Sequence, residues 1–346
     1  MASRDVTDVT LIVDDSDPEI QYHCPVTHET VKGSYYENTW TTIKSLSCGQ
    51  QSGWFSHVFN GTQTRIWASA SEANQNYSVK IDDGPFIIQS GDGYFKSPVL
   101  QDGEHTVVYA AGAMSLFPTF DYLTVAAGPS TQLFGRTVIV DDSENALEYS
   151  GGWSTQSETP LLLDRPSAVY QNTTHWSGSV GDTFSVQFNG SSVSVYGVIP
   201  NNTDSGNSSA AYIVDGVSTI LPIPPSSNQV QPMVQLFHAD LDAGTHTLVF
   251  NLTELAPAHV IGIDFVLYNS SVHNTAPIGS VHGPSPVTAG AASLKKTHHM
   301  RTIVGATLGS LAGVVLVGLL LFLYRRRRSR NATKASNWNV VTTVNQ

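Results

Sequence analysis

The 346-residue chain has only 13% charged residues and a net charge of −11, and it is rich in the Ser, Thr, Gly and Asn of β-rich extracellular modules. All 28 acidic residues precede Thr302, together with 11 of the 17 basic ones, so that part carries 11 − 28 = −17. Nucleic-acid phosphates would be repelled by it, which excludes DNA and RNA as partners.

The N-terminus reads MASRDVTDVTLIVDDSD and lacks the apolar h-region of a signal peptide. Residues 10–13 read as a strand, and Asp14, Asp15, Asp17 and Glu19 crowd the turn after it. Oxygen ligands at that density suit Ca²⁺, but the spacing fits no EF-hand loop, and a solvated turn is the simpler reading. Cys24 and Cys48 close one loop in an oxidising compartment and stay thiols in the cytosol.

Much of this first region recurs. Thr10-Leu11-Ile12-Val13-Asp14-Asp15 returns as Thr137-Val138-Ile139-Val140-Asp141-Asp142, and Ile20-Gln21-Tyr22 as Leu147-Glu148-Tyr149. Phe59-Asn60-Gly61 through Trp67 matches Phe188-Asn189-Gly190 through Tyr196. Asp83-Gly84 matches Asp215-Gly216, His105 matches His246, and Asp121-Tyr122 matches Asp264-Phe265. The order is kept while the offset drifts from 127 to 143, as in a duplicated domain rather than a solenoid. Trp40 and Trp176 also recur, which marks core packing. Trp54 has no counterpart, so Trp54, with Tyr35 and Tyr36 near it in sequence, is the aromatic set offered for stacking on a sugar ring.

Within the second copy, Phe184, Val186 and Phe188 alternate with polar residues, then Asn189-Gly190 reads as a tight hairpin turn with φ > 0. Val193 and Val195 resume the alternation, as do Leu248, Phe250 and Leu252, and then Ile261, Ile263, Phe265 and Leu267. The expected fold is all-β: two tandem β-sandwich or jelly-roll domains at residues 1–128 and 137–269, with a linker at 129–136.

Residues 270–301 are rich in Ser, Thr, Pro, Gly and Ala and read as an O-glycosylated stalk. Residues 302–324 then run 23 positions without a charge, enough for one transmembrane helix across about 30 Å of hydrocarbon. The cluster Arg325 to Arg328 abuts it, so the tail at 325–346 is expected in the cytosol and the N-terminus outside, at the plasma membrane or another secretory-pathway membrane. Without a signal peptide, the helix is expected to insert as a reverse anchor, unless a leader is missing or the protein is tail-anchored. Eight sequons, at Asn60, Asn76, Asn172, Asn189, Asn201, Asn207, Asn251 and Asn269, exceed the roughly three that chance would give and mark N-glycosylation, although the Asn-Gly pairs at Asn60 and Asn189 also read as hairpin turns. Gly305, Gly309 and Gly313 share one helix face and offer a close-packing surface for a homodimer.

Enzyme signatures are absent: no Gly-x-Ser-x-Gly elbow, His-Glu-x-x-His, phosphate loop or Cys-x-x-Cys pair. No cofactor is implied. The recurrence of His105 and His246 points to a shared turn hydrogen bond rather than to catalysis.

The order Val-Asp-Asp, Tyr-Ser-Gly-Gly-Trp153, Tyr170 to Trp176, Phe-Asn-Gly-Ser with Val-Tyr-Gly197, Val-Asp-Gly216, Gly-x-His246-Thr and Ile-Asp264-Phe resembles a fungal, basidiomycete-type family of single-pass surface proteins. The resemblance covers residues 9–330, although the first copy has His23-Cys24 where Ser-Gly is the pattern. It implies tandem galactose-binding-like jelly rolls, a stalk, one membrane helix and a basic tail. Carbohydrate contact follows from the fold resemblance alone. The expected function is therefore a cell-surface sensor, adhesin or tether that contacts wall or extracellular polysaccharide. A structural or protein-binding module without sugar affinity is the alternative, and a membrane-tethered glycoside-processing enzyme is a third.

Overall fold

Short alternating segments bounded by Gly, Asn and Asp give an all-β protein. The structure is a computed structural model that describes residues 9–45, 53–69, 75–111, 118–155, 169–201 and 206–274. Cys48, residues 275–301 of the expected stalk, residues 302–324 with Gly305, Gly309 and Gly313, and the tail lie outside the described residues. Among the described residues, no helix is long and apolar enough to cross a membrane.

The first copy contributes β1 (Thr10–Asp14), β2 (Gln21–Tyr22), β3 (Val26–Thr30), β4 (Thr39–Ile43), β5 (Phe55–Gly61) and β6 (Gln63–Ser69). Then come β7 (Gln75–Ile81), β8 (Ile87–Gly91), β9 (Phe95–Lys96), β10 (Gly103–Ala110) and β11 (Thr119–Ala126). The second copy contributes β12 (Thr137–Asp141), β13 (Leu147–Ser150), β14 (His175–Ser177) and β15 (Thr183–Ile199). It ends with β16 (Ser209–Val214), β17 (Val217–Pro222), β18 (Gln231–Glu254) and β19 (Ile261–Ser270). One 3₁₀ turn in each copy, Tyr36–Asn38 and Tyr170–Asn172, completes the matched set.

One sheet runs β17-β16-β18-β15-β19-β12-β1-β11-β4-β3, and a second runs β2-β5-β10-β7-β8. The inner faces of the two sheets enclose Leu11, Val13, Phe55, Phe59, Val107 and Tyr109 in the first copy. In the second copy, β15 and β18 are long enough to serve both layers, bending where the register shifts at Gly190/Ser192. The copies meet through the equivalent strands β1 and β12, which pair antiparallel with Leu11 opposite Val138. Matched positions facing each other in an antiparallel ladder are the local mark of a two-fold relation. The described residues belong to one compact unit. The segment 129–136 is pinned within it: Leu133 is buried, and its N–H donates to the His273 carbonyl at 2.9 Å.

The expected Asn-Gly hairpins are corrected by the structure. β5 pairs in the smaller sheet while β6 pairs in the larger, so Asn60-Gly61 is a crossing point between layers. Neither Gly61 nor Gly190 has positive φ. Space dictates both glycines, since a Cβ on Gly61 would lie 2.5 Å from the Ala126 carbonyl oxygen and one on Gly190 2.7 Å from that of Asn269. The true two-residue hairpin is Asp215-Gly216 between β16 and β17, with φ of 50° and 85°.

Candidate functional site

Three carboxylates in each copy fix a tyrosine-bearing turn. Asp121 accepts a 2.9 Å bond from the Tyr36 N–H, and Asp264 accepts a 3.0 Å bond from the Tyr170 N–H. Asp15 accepts from the hydroxyls of Thr39 (2.7 Å) and Thr41, and Asp142 from Thr173 (2.6 Å) and the His175 ring (2.6 Å). Asp14 and Asp141 accept from the backbone and hydroxyl of Ser16 and Ser143 in Asx turns. Burial raises Asp14 to about 7 and Asp142 to about 6, lifts Asp15 and Asp141, and holds Asp264 well above the usual carboxylate range. The turns they hold carry left-handed residues that are not glycine, Glu37 (φ 49°) and Gln171 (φ 51°), each costing about 1 kcal/mol.

The turns carry their tyrosines onto an aromatic stripe on the outer face of the large sheet. Trp67, Tyr122, Ile12, Ile139, Phe265 and Tyr196 lie on β6, β11, β1, β12, β19 and β15 in spatial order and belong to one buried cluster. Trp67 stacks on Tyr122 at 4.6 Å, and Tyr196 on Phe265 at 4.8 Å. Each turn also reaches into the other copy: Tyr36 meets Tyr196 at 5.9 Å, and Tyr170 meets Trp67 at 5.4 Å.

Beside this lock the faces of the two copies diverge. On the first, Arg65 lies between Thr124 and Lys96, and its guanidinium donates to Gln171 Oε1 at 2.9 Å. The same register on the second places Ser194 between Leu267 and His238, with Glu37 as the counterpart of Gln171. The shorter serine leaves a groove of about 350 Å³. Its floor is Thr137 on β12, Asn269 on β19 and Ser192 and Ser194 on β15; Gln235 and His238 flank it from β18, and Tyr36 and Glu37 wall it. His238 Nδ1 and Ser194 Oγ are 2.9 Å apart, His238 Nε2 is 3.4 Å from Asp240, and the Tyr196 hydroxyl donates to Glu37 at 3.1 Å. Hydroxyls, an amide, an imidazole and a carboxylate around a half-open slot are groups that grip sugar hydroxyls. Ser194, His238 and Asp240 do not make a nucleophilic triad. Ser194 is mid-strand between two paired neighbours, with no backbone N–H pair left for an oxyanion, and Asp240 is 92% exposed.

Trp54 is corrected by the structure. It is 0% exposed and packs edge-on against Phe55, Tyr109 and Phe120, so it is a core residue that no sugar reaches. Tyr36 is buried at the wall of the groove, and Tyr35 stacks on Trp40 at 5.7 Å. The Ca²⁺ set is corrected too. The Asp14 and Asp15 carboxylates accept from Ser and Thr hydroxyls, and Asp17 accepts from the Glu19 N–H at 2.8 Å. Among the described residues no group of three or more His, Cys, Asp or Glu could hold a metal.

His105 and His246 each donate from Nδ1 to an aspartate, Asp82 (2.8 Å) and Asp215 (2.6 Å), and from Nε2 to a backbone carbonyl at 2.8 Å. Acceptors at both ring nitrogens favour the doubly protonated ring, and the pKa of each histidine is raised. Cys24 is held in a disulfide. Among the sequon asparagines, Asn60, Asn76, Asn172, Asn189, Asn201 and Asn207 are exposed, while Asn251 and Asn269 are part-buried in strands. Sequence reasoning passed over Glu37, Ser192, Ser194, Gln235 and His238. The available signal was asymmetry within the repeat, Arg65 against Ser194 in otherwise matched strands.

No protein-family model and no curated protein matches the chain. Among solved structures, similarity extends to a family two carbohydrate esterase from Cellvibrio japonicus at 19% identity, TM-score 0.28, over 35% of this chain and 35% of that one. A two-domain esterase active on acetylated mannans, co-crystallized with mannopentaose, matches at 15% identity, TM-score 0.32, over 42% and 40%. The N-terminal tandem CBM22 domain of Paenibacillus barcinonensis Xyn10C matches at 10% identity, TM-score 0.27, over 78% of this chain and 100% of that one. The matched region thus spans well under half of either esterase, and at TM-scores below 0.5 none of these likenesses says what the chain binds.

Proposed function

We propose that the chain is a single-pass cell-surface protein, N-terminus outside, whose two copies are tandem galactose-binding-like jelly rolls that contact wall or extracellular carbohydrate as a sensor, adhesin or tether. It is a binding protein without catalytic activity of its own. The groove between the Glu37 turn and the outer face of β15 and β18 carries this reading, because it is polar, half-open and about the size of a sugar ring. The sequons and the uncharged segment at 302–324 support the surface placement.

The test is binding of the purified full-length chain in detergent to a panel of glucans, mannans, chitin and plant glycans. Saturable, competable binding that drops at least about tenfold in Gln235→Ala and His238→Ala, with folding intact, is the expected result. No binding by well-folded protein would refute it. The reading without sugar affinity draws on exposed apolar side chains at matched edge strands, Ile87 and Ile88 on β8 and Val217 and Ile220 on β17. It predicts instead that Ile88→Lys removes the activity of the chain and that groove variants leave it intact.

A further inference from the structure

Among the described residues that line the groove, Glu37 is the one carboxylate and His238 the one ionisable base. Glu37 is exposed at its wall, and the hydrogen bonds it accepts come from tyrosines, Tyr196 and Tyr36. Hydroxyl donors stabilise a carboxylate without cancelling its charge, unlike a Lys or Arg partner. Among the described residues no Lys or Arg lines the groove. The basic residues at matched positions, Arg65 and Lys96, belong to the first copy, and Arg65 is engaged by Gln171. Asp240 lies outside the lining, 3.4 Å from His238 Nε2. A ligand in the groove therefore meets the Glu37 carboxylate and sits on a region of net charge −17.

We propose that the groove selects a cationic amino sugar, such as a unit of a hexosamine polymer whose amine is free, over neutral, N-acetylated or uronic-acid sugars. This rests on the carbohydrate-binding reading above. The ammonium pairs with Glu37, while the ring hydroxyls are met by Ser192, Gln235 and His238. Uronic acids and sulfated sugars would place like charge against Glu37, which is the repulsive half of the selectivity.

The experiment titrates the full-length chain in detergent at about pH 6, where a sugar amine is protonated, with glucosamine oligomers, their N-acetylated counterparts and galacturonate oligomers. The expected result is a preference of about fivefold or more for the free amine over the acetylated form, with galacturonate weakest, shrinking at high salt. Glu37→Gln should erase the preference, and Glu254→Gln, an exposed acid outside the groove, should keep it. The series is repeated in Ser271→Ala, which removes the sequon of the groove residue Asn269 and hence any glycan standing there. A preference that appears only in that variant and still needs Glu37 supports the proposal.

Equal or stronger binding of acetylated or uronic sugars overturns the amino-sugar selectivity and leaves the carbohydrate reading standing. A preference that Glu37→Gln does not alter also overturns it, as diffuse attraction to an acidic protein. Absence of binding to all three, in both backgrounds, overturns the selectivity, and the carbohydrate reading falls with it only if the glucan and mannan panel is unbound as well.

Discussion

The outer faces of the two copies share a backbone and differ in a few side chains. Tyr122 and Phe265, Trp67 and Tyr196, and Thr124 and Leu267 occupy the same ladder positions, so the geometry around the stripe repeats. Where the first copy has Arg65, Lys96 and a reaching Gln171, the second has Ser194, His238 and Glu37. One face is filled and basic, the other open and acidic. The two halves present matching ladders, and they differ in residues that those ladders do not need.

The sharpest test of the shared frame is Tyr36→Ala against Tyr170→Ala. Each removes a buried ring that clasps the opposite copy, so each should cost about 3–5 kcal/mol in urea unfolding of the full chain. Costs that differ by more than about 2 kcal/mol would show that the two clasps are not equivalent.

Next in size is the exchange of faces. Glu37→Gln with Ser194→Arg copies the Arg65–Gln171 contact into the groove and should reduce glycan binding at least about tenfold, with stability changed by under about 1 kcal/mol. Retained binding would place the site elsewhere.

A pH series compares the acid clusters. Asp14 and Asp142 have folded pKa values near 7 and 6, above their unfolded value of 3.8, so the folded state holds the extra proton. Their contribution is fully present below the unfolded value and is lost as pH rises toward the folded one. His105 and His246, raised above 6.5, act in the same direction and lose theirs as pH climbs through their folded values. The melting temperature should therefore fall between about pH 5 and pH 8. Asp14→Asn should flatten that slope more than Asp142→Asn, and a melting temperature that rises with pH would contradict the assignment. The smallest effect is expected of Arg65→Ala, under about 1 kcal/mol in urea unfolding, because its contact with Gln171 is at the surface.

The all-β class and the matched strands were legible in the sequence because period-2 burial leaves its trace in Phe184-x-Val186-x-Phe188 and Ile261-x-Ile263-x-Phe265. The shared histidine turn was legible from recurrence alone. Trp54 misled, since lack of a repeat partner says nothing about burial when one copy fills its core with a different aromatic. Asn60-Gly61 misled because the sequence does not distinguish a glycine needed for φ from one needed for space. The groove was illegible for a deeper reason: its residues are contributed by both copies, and their meeting depends on the β1–β12 pairing, which leaves no local pattern.

That groove also has a place along the chain. Asn269 lines it, and the last strand ends one residue later at Ser270. If a polymer held there is pulled against the chain beyond Ser270, the tension crosses the Glu37 turn and the stretches of β12, β15, β18 and β19 that line the groove, and bypasses the smaller sheet. The remaining strands would then act as ballast rather than as a tether under load, and the molecule would be expected to give way by peeling β19 from its C-terminal end while the first copy stays folded.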